Sequence, residues 1–494
     1  MSFNTRLAAL LALTLLAPAC KKADTKAPGG SKGLTVEQAE KERTQKQKDA
    51  KARTLTGLAN EDLAKGRWKS AMDRAKRALE TDPNNAEAFA VLGAANWRAG
   101  DFEASTKAYK EALELDGKHF GAAVGLGRNY QAAGDHLAAV ELQDRILAGD
   151  PNQLDPLLCK LWSYYALADA ANSVKVLDQI FKLIENENPV RELLLALAAF
   201  MRPLEGKGEL IKVEGAKGTA DLVVDPGQGI KSAVAKVGGE QSFVVLFELK
   251  EEARVHKAFA DKLKLKELGK IKPIGAQAET SVVLIPEVSF GDLKLTNIPA
   301  IVDDLTPFQV ADVPGVVLGR QALNKIGAIT FDYPNAKLHL EAASPTAAPA
   351  GATEAPLILL DMHLLLAPAT TLSIDGSQFK FYAWFGGSYG SSLAIARKEY
   401  LKSGHLPREL EQLDDPTGGL KMVYVDKVTV GNTPIPGGVG GLVLTNTPPD
   451  AGIGQIVEGS SFELGGYINV ALMTTMKVTY AISKGKMYLT PRGA

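Results

Sequence analysis

The hydrophobic pattern of the chain changes period near residue 207. Before that point the apolar residues fall at helical spacing, three or four apart. After it, short Val/Ile/Leu runs alternate with turns of Gly, Pro and Asp, which is the pattern of strands buried on one face. The pattern predicts an all-α N-terminal part followed by a mostly-β part. At the start of the helical part, Thr35 and Gln38 are spaced as a capping box, opening a charged helix to about Arg53. "AASPTAAPAGATEA", residues 342–355, reads as a linker and divides the β part into halves of similar length.

The helical part repeats itself. Gly66, Gly100 and Gly134 share one spacing, as do Leu58, Leu92 and Leu126. Trp68 with Phe102, and Ala78 with Ala112, lie one period apart. Gly-Asp turns and a closing Asp-Pro-Asn accompany a period of 34 residues, which resembles tetratricopeptide repeats. Three repeats cover about 52–153. A looser fourth runs to about Pro189, with Leu161 and Trp162 one step out of register. The resemblance implies an all-α solenoid whose groove is lined from the first helix of each pair. By register those residues are Glu87, Ala90, Ala94 and Trp97, then Gly121, Val124, Arg128 and Gln131. Glu87, Trp97, Arg128 and Gln131 are the expected contacts to a protein or peptide partner. The alternative is a spacer whose groove holds only neighbouring parts of the chain.

The two β halves share an order of elements. Gly238-Gly239 precedes "SFVVLF", and Asp375-Gly376 precedes "FKFYAW". Helices are expected next, in "VHKAFADKL" and "LAIARKEYLKSG". Strands with glycine turns follow, "VSFGDLKL" and "VTVGNTPI", then "VVLGRQAL" and "FELGGYIN". Each half closes on a hairpin, "ITFDYPNAKLHLE" and "KVTYAISKGKMYLTP". This order resembles the retropepsin-like aspartic protease fold, once in 207–341 and again in 356–494. Val317-Leu318-Gly319 matches that family's apolar-apolar-Gly element, and Glu463-Leu464-Gly465 matches it more loosely.

In that family two lobes pair so that two aspartates share one proton and activate a water. Here the first aspartate position falls on Phe247. The second falls on Trp384, or on Phe385 with one residue inserted. Neither Phe nor Trp offers a carboxyl group, so the resemblance implies a pair of degenerate protease lobes with no catalytic residues. Pairing within the chain and pairing between two chains both stay open.

Three rival sites are weighed against this. Asp225-Pro226-Gly227 is close to Asp-Thr-Gly and would make the protein an active aspartic endopeptidase, though Asp-Pro-Gly is more commonly a turn. "GGSYG", 386–390, fits a nucleophile elbow around Ser388, but only His405 follows it. Asp303-Asp304 and Asp414-Asp415 are acidic pairs of the kind that usually stay solvated.

Composition adds location. Arg6, then the apolar run from Leu7 to Leu16, reads as a signal peptide over 1–20, too short for a membrane span. "LAPAC" resembles a lipobox, making Cys20 the lipid attachment site. Residues 21–51 then form a polar tether and the charged helix, and the repeats take 52–190. The expected location is the bacterial envelope, facing the periplasm from the outer membrane. The formal net charge of −1 gives no electrostatic case for nucleic acid. With Cys20 acylated, Cys159 has no disulfide partner. The six histidines show no ligand spacing, and neither metal nor cofactor is expected.

Overall fold

A computed structural model describes residues 35–491 except 189, 226–229, 247–250, 274–275, 362–365, 375–380, 386–392, 397–407, 412–419, 426, 436–438, 445–465 and 469. The chain forms two compact units, one ending at Asn129 and one beginning at Tyr130.

The first unit holds α1 (Val36–Ala64), α2 (Trp68–Thr81), α3 (Ala86–Arg98), α4 (Phe102–Leu115) and most of α5 (Phe120–Ala132). The capping box is present: the Gln38 amide donates to Thr35 Oγ1 at 3.3 Å, and the Thr35 amide to Gln38 Oε1 at 3.0 Å. The helix does not end near Arg53, so the expected boundary at 51/52 falls inside α1. Between Arg53 and Ala64, Gly57 weakens the helix by about 1 kcal/mol but does not break it. The stop is Gly66, whose φ of +72° is cheap only for glycine.

Gly66, Gly100 and Gly134 all take this left-handed conformation, at φ +72°, +77° and +78°. The aspartates after Gly100 and Gly134 cap the next helix, Asp101 accepting from the Ala104 amide at 3.0 Å and Asp135 from that of Ala138 at 3.2 Å.

The second unit opens with α6 (His136–Leu147), α7 (Leu154–Ala166), α8 (Ala170–Leu183) and α9 (Arg191–Met201). The fourth repeat is not out of register. Helices α3, α5 and α7 start at residues 86, 120 and 154, one period apart each time. Ala168 takes the left-handed place of the glycines, at φ +56°. Leu161, fully buried, stands where the earlier repeats carry Gly93 and Gly127. The pattern therefore looked shifted although the backbone keeps its period.

The first β half contains β1 (Lys212–Glu214), β2 (Lys217–Asp225), β3 (Ile230–Val237), β4 (Glu240–Leu246), β5 (Ala253–His256), α10 (Lys257–Lys262), β6 (Gly269–Ile271), β7 (Thr280–Phe290), β8 (Leu293–Asp303), β9 (Val316–Leu318), α11 (Arg320–Leu323), β10 (Ala328–Asp332) and β11 (Lys337–Glu341). The second contains β12 (Thr353–Pro356), β13 (Ile358–Asp361), β14 (Leu366–Ile374), β15 (Phe381–Phe385), β16 (Leu393–Ala396), β17 (Arg408–Glu411), β18 (Leu420–Val425), β19 (Val428–Val430), β20 (Thr433–Ile435), β21 (Val439–Leu444), β22 (Gly466–Ile468), α12 (Val470–Met473), β23 (Met476–Ala481) and β24 (Lys486–Pro491).

Two expectations need correction. Val255-His256 ends a strand, and only Lys257–Lys262 is helical. Leu393–Ala396 is also a strand, pairing with β21 on one side and β22 on the other. A four-residue apolar run is ambiguous by period. Here two partner strands bury Leu393 and Ile395 completely and decide the outcome. The end of the linker, Thr353 to Ala355, belongs to β12 and pairs with β24.

Residues of both halves meet in one antiparallel sheet of order β12-β24-β23-β10-β11-β2. Ile329 pairs with Tyr480 and Phe331 with Val478. The two halves thus pair within one chain. Thr330 and Thr479 hydroxyls lie 2.8 Å apart across the seam, and the Phe331 and Tyr480 rings pack edge-on at 5.6 Å. Lys477 Nζ reaches the buried Asp332 carboxylate at 3.0 Å.

Candidate functional site

Two regions contain the residues singled out in the sequence. The first is the row of first helices in the repeats. Glu87, on α3, accepts from Asn60 Nδ2 of α1 at 2.6 Å and lies 2.9 Å from His119 Nε2, just ahead of α5. The Ala122 amide donates to His119 Nδ1 at 3.2 Å, so Nε2 carries the proton that faces Glu87. The hydrogen bond from His119 holds the Glu87 carboxyl below its ordinary value, against burial. The bond to Glu87 likewise raises His119, again against burial.

Trp97 turns to Phe102, edge-on at 4.8 Å. Gln131 donates to the Cys159 carbonyl at 2.8 Å and lies 2.9 Å from Ser163 Oγ. Ala90 and Val124 are buried, whereas Gly121 and Arg128 are exposed. The predicted groove residues therefore differ in role. Glu87 and Gln131 tie successive helices together, and Trp97 packs within its own pair. Arg128 presents its charge outward, near the half-buried Arg98. Burial lowers the Arg98 pKa, and the charge of Arg128 lowers it further.

Tyr109 of α4 underlies these arginines. Its hydroxyl pKa is pushed up to about 12 by burial, against the pull of Arg128 and Arg98. The ring fits only because two glycines leave room. A Cβ on Gly93 would lie 2.7 Å from Tyr109 Cδ1, and one on Gly125 would overlap Cζ and sit 2.5 Å from the hydroxyl oxygen. Asn60, His119, Arg98 and Tyr109 were missed in the sequence. Tyr109 was findable, because Gly93 and Gly125 mark a close approach.

The second region is the frame around the end of β4. In the first half, neighbouring strands run β2-β3-β4-β9-β5-β8-β7-β6. Strand β9 lies parallel to β4 and antiparallel to β5, and β5 lies parallel to β8. In the second half, the order is β13-β14-β15-β22-β16-β21-β18-β17. There β22 is parallel to β15 and antiparallel to β16, and β16 is parallel to β21. Strand β3 also pairs with β7, as β14 does with β19. Each ninth-strand equivalent leads into a short helix and a closing hairpin.

This register corrects the pairing of the two expected positions. Leu246 lies opposite Leu318, and Phe385 opposite Ile468, so Leu246 and Phe385 are equivalent. Trp384, opposite Tyr467, then corresponds to Val245. The counterpart of Phe247 is Gly386, and both lie outside the described residues, as do Ser388, Asp414, Asp415 and the Glu463–Gly465 segment. By this register Val317 and Leu318 correspond to Tyr467 and Ile468, not to Glu463 and Leu464.

Gly319 has a steric reason. A Cβ there would sit 2.5 Å from the Glu251 carbonyl oxygen and closer still to that of Glu252. Glu251 and Glu252 thus rest on the backbone of Gly319. Arg320, almost fully buried, pairs with Glu251 at 3.1 Å. His136 lies near Arg320, and its pKa is pushed down to about 3, by burial first and by that cation second. Asp225 ends β2 opposite Ile230, on a strand that does not border β9. Asp303 pairs with Arg254, and Asp304 is exposed and caps the turn at Thr306.

No family model matches the chain, and no curated protein does. Solved structures similar to it include a tetratricopeptide repeat protein from Parabacteroides merdae, at 21% identity and a TM-score of 0.28, covering 31% of this chain and 60% of that one. MamA, at 20% identity and a TM-score of 0.26, covers 31% of this chain and 95% of its own. The first tetratricopeptide domain of Spaghetti, bound to an HSP90 peptide, is 22% identical with a TM-score of 0.24, covering 24% and 98%.

Proposed function

We propose that this is a lipid-anchored envelope protein, attached through Cys20, whose helical repeats bind a protein or peptide. Its two β halves form a retropepsin-like pair of lobes that has lost the acid dyad. The observation that carries the second part is the recurrence of one strand order with the same strand directions in both halves, β4-β9-β5-β8 and β15-β22-β16-β21. In the acid-protease fold, a strand inserted between the two arms of a loop, once per lobe, presents two loop ends toward one cleft. An acid protease needs a carboxylate at each end. Here the chain offers Phe247 and the Trp384 to Gly386 stretch. Such a cleft is suited to holding an extended segment by backbone hydrogen bonds rather than cutting it. In the repeats, Arg128 is an exposed charged residue at a predicted groove position, so it is the first contact to test.

The test is incubation of the soluble protein, residues 34–494, with an unfolded substrate from about pH 3 to 7, where carboxyl dyads work. New termini are sought by mass spectrometry. The reading expects none. Cleavage that disappears in Asp225→Asn would make the protein an active aspartic endopeptidase instead.

A further inference from the structure

Of the predicted groove positions, Ala90 and Ala94 on α3 and Gly121 and Val124 on α5 carry short side chains. A peptide laid across these two helices can therefore bring its backbone close. The Tyr109 ring sets how α3 and α5 approach each other, because it fills the room left by Gly93 on one and Gly125 on the other. Arg98, half-buried at the end of α3, and Arg128, exposed on α5, follow those glycines along their helices.

The two cations are close enough to act on each other. Burial lowers the Arg98 pKa, and the charge of Arg128 lowers it further. No acid on these helices offsets them. Glu87 is the one acid on α3, and α5 carries none. Glu87 is already held by Asn60 and His119. Among the described residues neither arginine forms an ion pair. Like charges held together without a counter-charge destabilise the free protein, and an anion bound between them recovers that energy.

We propose that Arg98 and Arg128 form a paired cationic site for an acidic segment of a partner protein, in which two neighbouring Asp or Glu side chains each take one guanidinium. This rests on the reading that the repeats bind a protein or peptide, and it names the chemistry of that partner. A guanidinium suits the task because its planar fork matches a carboxylate with two parallel hydrogen bonds. The half-buried position of Arg98 strengthens such a bond, since less water competes there.

Selection from a library of random peptides with amidated C-termini tests it, with the soluble protein, residues 34–494, as bait. Enriched peptides should carry neighbouring Asp or Glu residues. By fluorescence anisotropy, such a peptide should bind Arg98→Gln and Arg128→Gln about tenfold or more weakly than the parent, and the parent more weakly as salt is added. The same peptide with its acids replaced by Asn or Gln should lose as much. Free Arg128→Gln should unfold at the parent's midpoint or above it, because one of two like charges has gone. Enrichment without acids overturns the acidic site and leaves the repeats a binding module, as do acidic peptides that bind both variants like the parent. Acidic enrichment confined to a second library with free C-terminal carboxylates overturns it too, because the anion is then a chain end. A lowered midpoint in Arg128→Gln makes Arg128 a structural residue and has the same consequence. No enrichment from either library removes the binding reading and this inference with it.

Discussion

Single residues determine the geometry of the repeats through space and backbone conformation. Gly125→Ala puts a methyl group into the Tyr109 ring, which the buried tyrosine has little room to avoid. The expected loss is about 1–3 kcal/mol of unfolding free energy, read by urea titration. Ala168→Gly should act oppositely. Its φ of +56° strains an alanine, and glycine removes about 1 kcal/mol of that strain, less what glycine adds to unfolded-state entropy. The Glu87–His119 pair makes a pH prediction. His119 is raised above 6.5, so its contribution is complete below 6.5 and fades as pH climbs through the raised value. Glu87 is lowered below 4.5, so its contribution is complete above 4.5 and fades as pH falls through the lowered value. The stability gap between the parent and Glu87→Gln should therefore be widest between pH 4.5 and 6.5. A gap that is flat with pH would remove the pair from the account.

At the scale of elements, the hairpins and the repeat were legible because each has a local signature. Gly238-Gly239, at φ +57° and +88°, closes β3 onto β4 as a two-residue turn must. Gly291 and Gly431 do the same work between the strands that follow. What was not legible depended on distant partners. Leu393–Ala396 became a strand because β21 and β22 flank it, and no residue nearby announces them. The length of α1 was misjudged because charge, not a breaker, was taken to mark its end. The first helices of the repeats were half legible: register placed Glu87 and Gln131 on them, but not that other helices already bond these two residues. Gly319 provides the test at this scale. Gly319→Ala pushes a methyl group into the Glu251 and Glu252 carbonyls, which the Arg320 ion pair holds in place. Thermal unfolding should fall by several degrees, the shift expected for a core overlap of about 1–3 kcal/mol. An unchanged midpoint would mean that Glu251 and Glu252 are not seated on Gly319.

Across the whole second unit, the two halves are joined by β10 and β23, and buried Asp332 anchors that seam. Burial alone would raise the Asp332 pKa. Hydrogen bonds from Asn335 and Lys477 outweigh it and hold the carboxyl below 3.8. The stabilisation is complete above 3.8 and is lost as pH falls through the lowered value, so the seam should survive most of an acid-protease assay's range. Lys477→Ala should weaken the seam by about 1–3 kcal/mol, seen as faster exchange of the 329–332 amides. The proposed architecture has one lobe design occurring twice, with no acid dyad between the two copies. A crystal structure of residues 34–494 tests this most directly. The expected result is that the two halves superpose strand for strand, β4 on β15 and β9 on β22, with no two carboxylates sharing a water near the ends of β4 and β15. Two aspartate or glutamate side chains converging on one water there would contradict it.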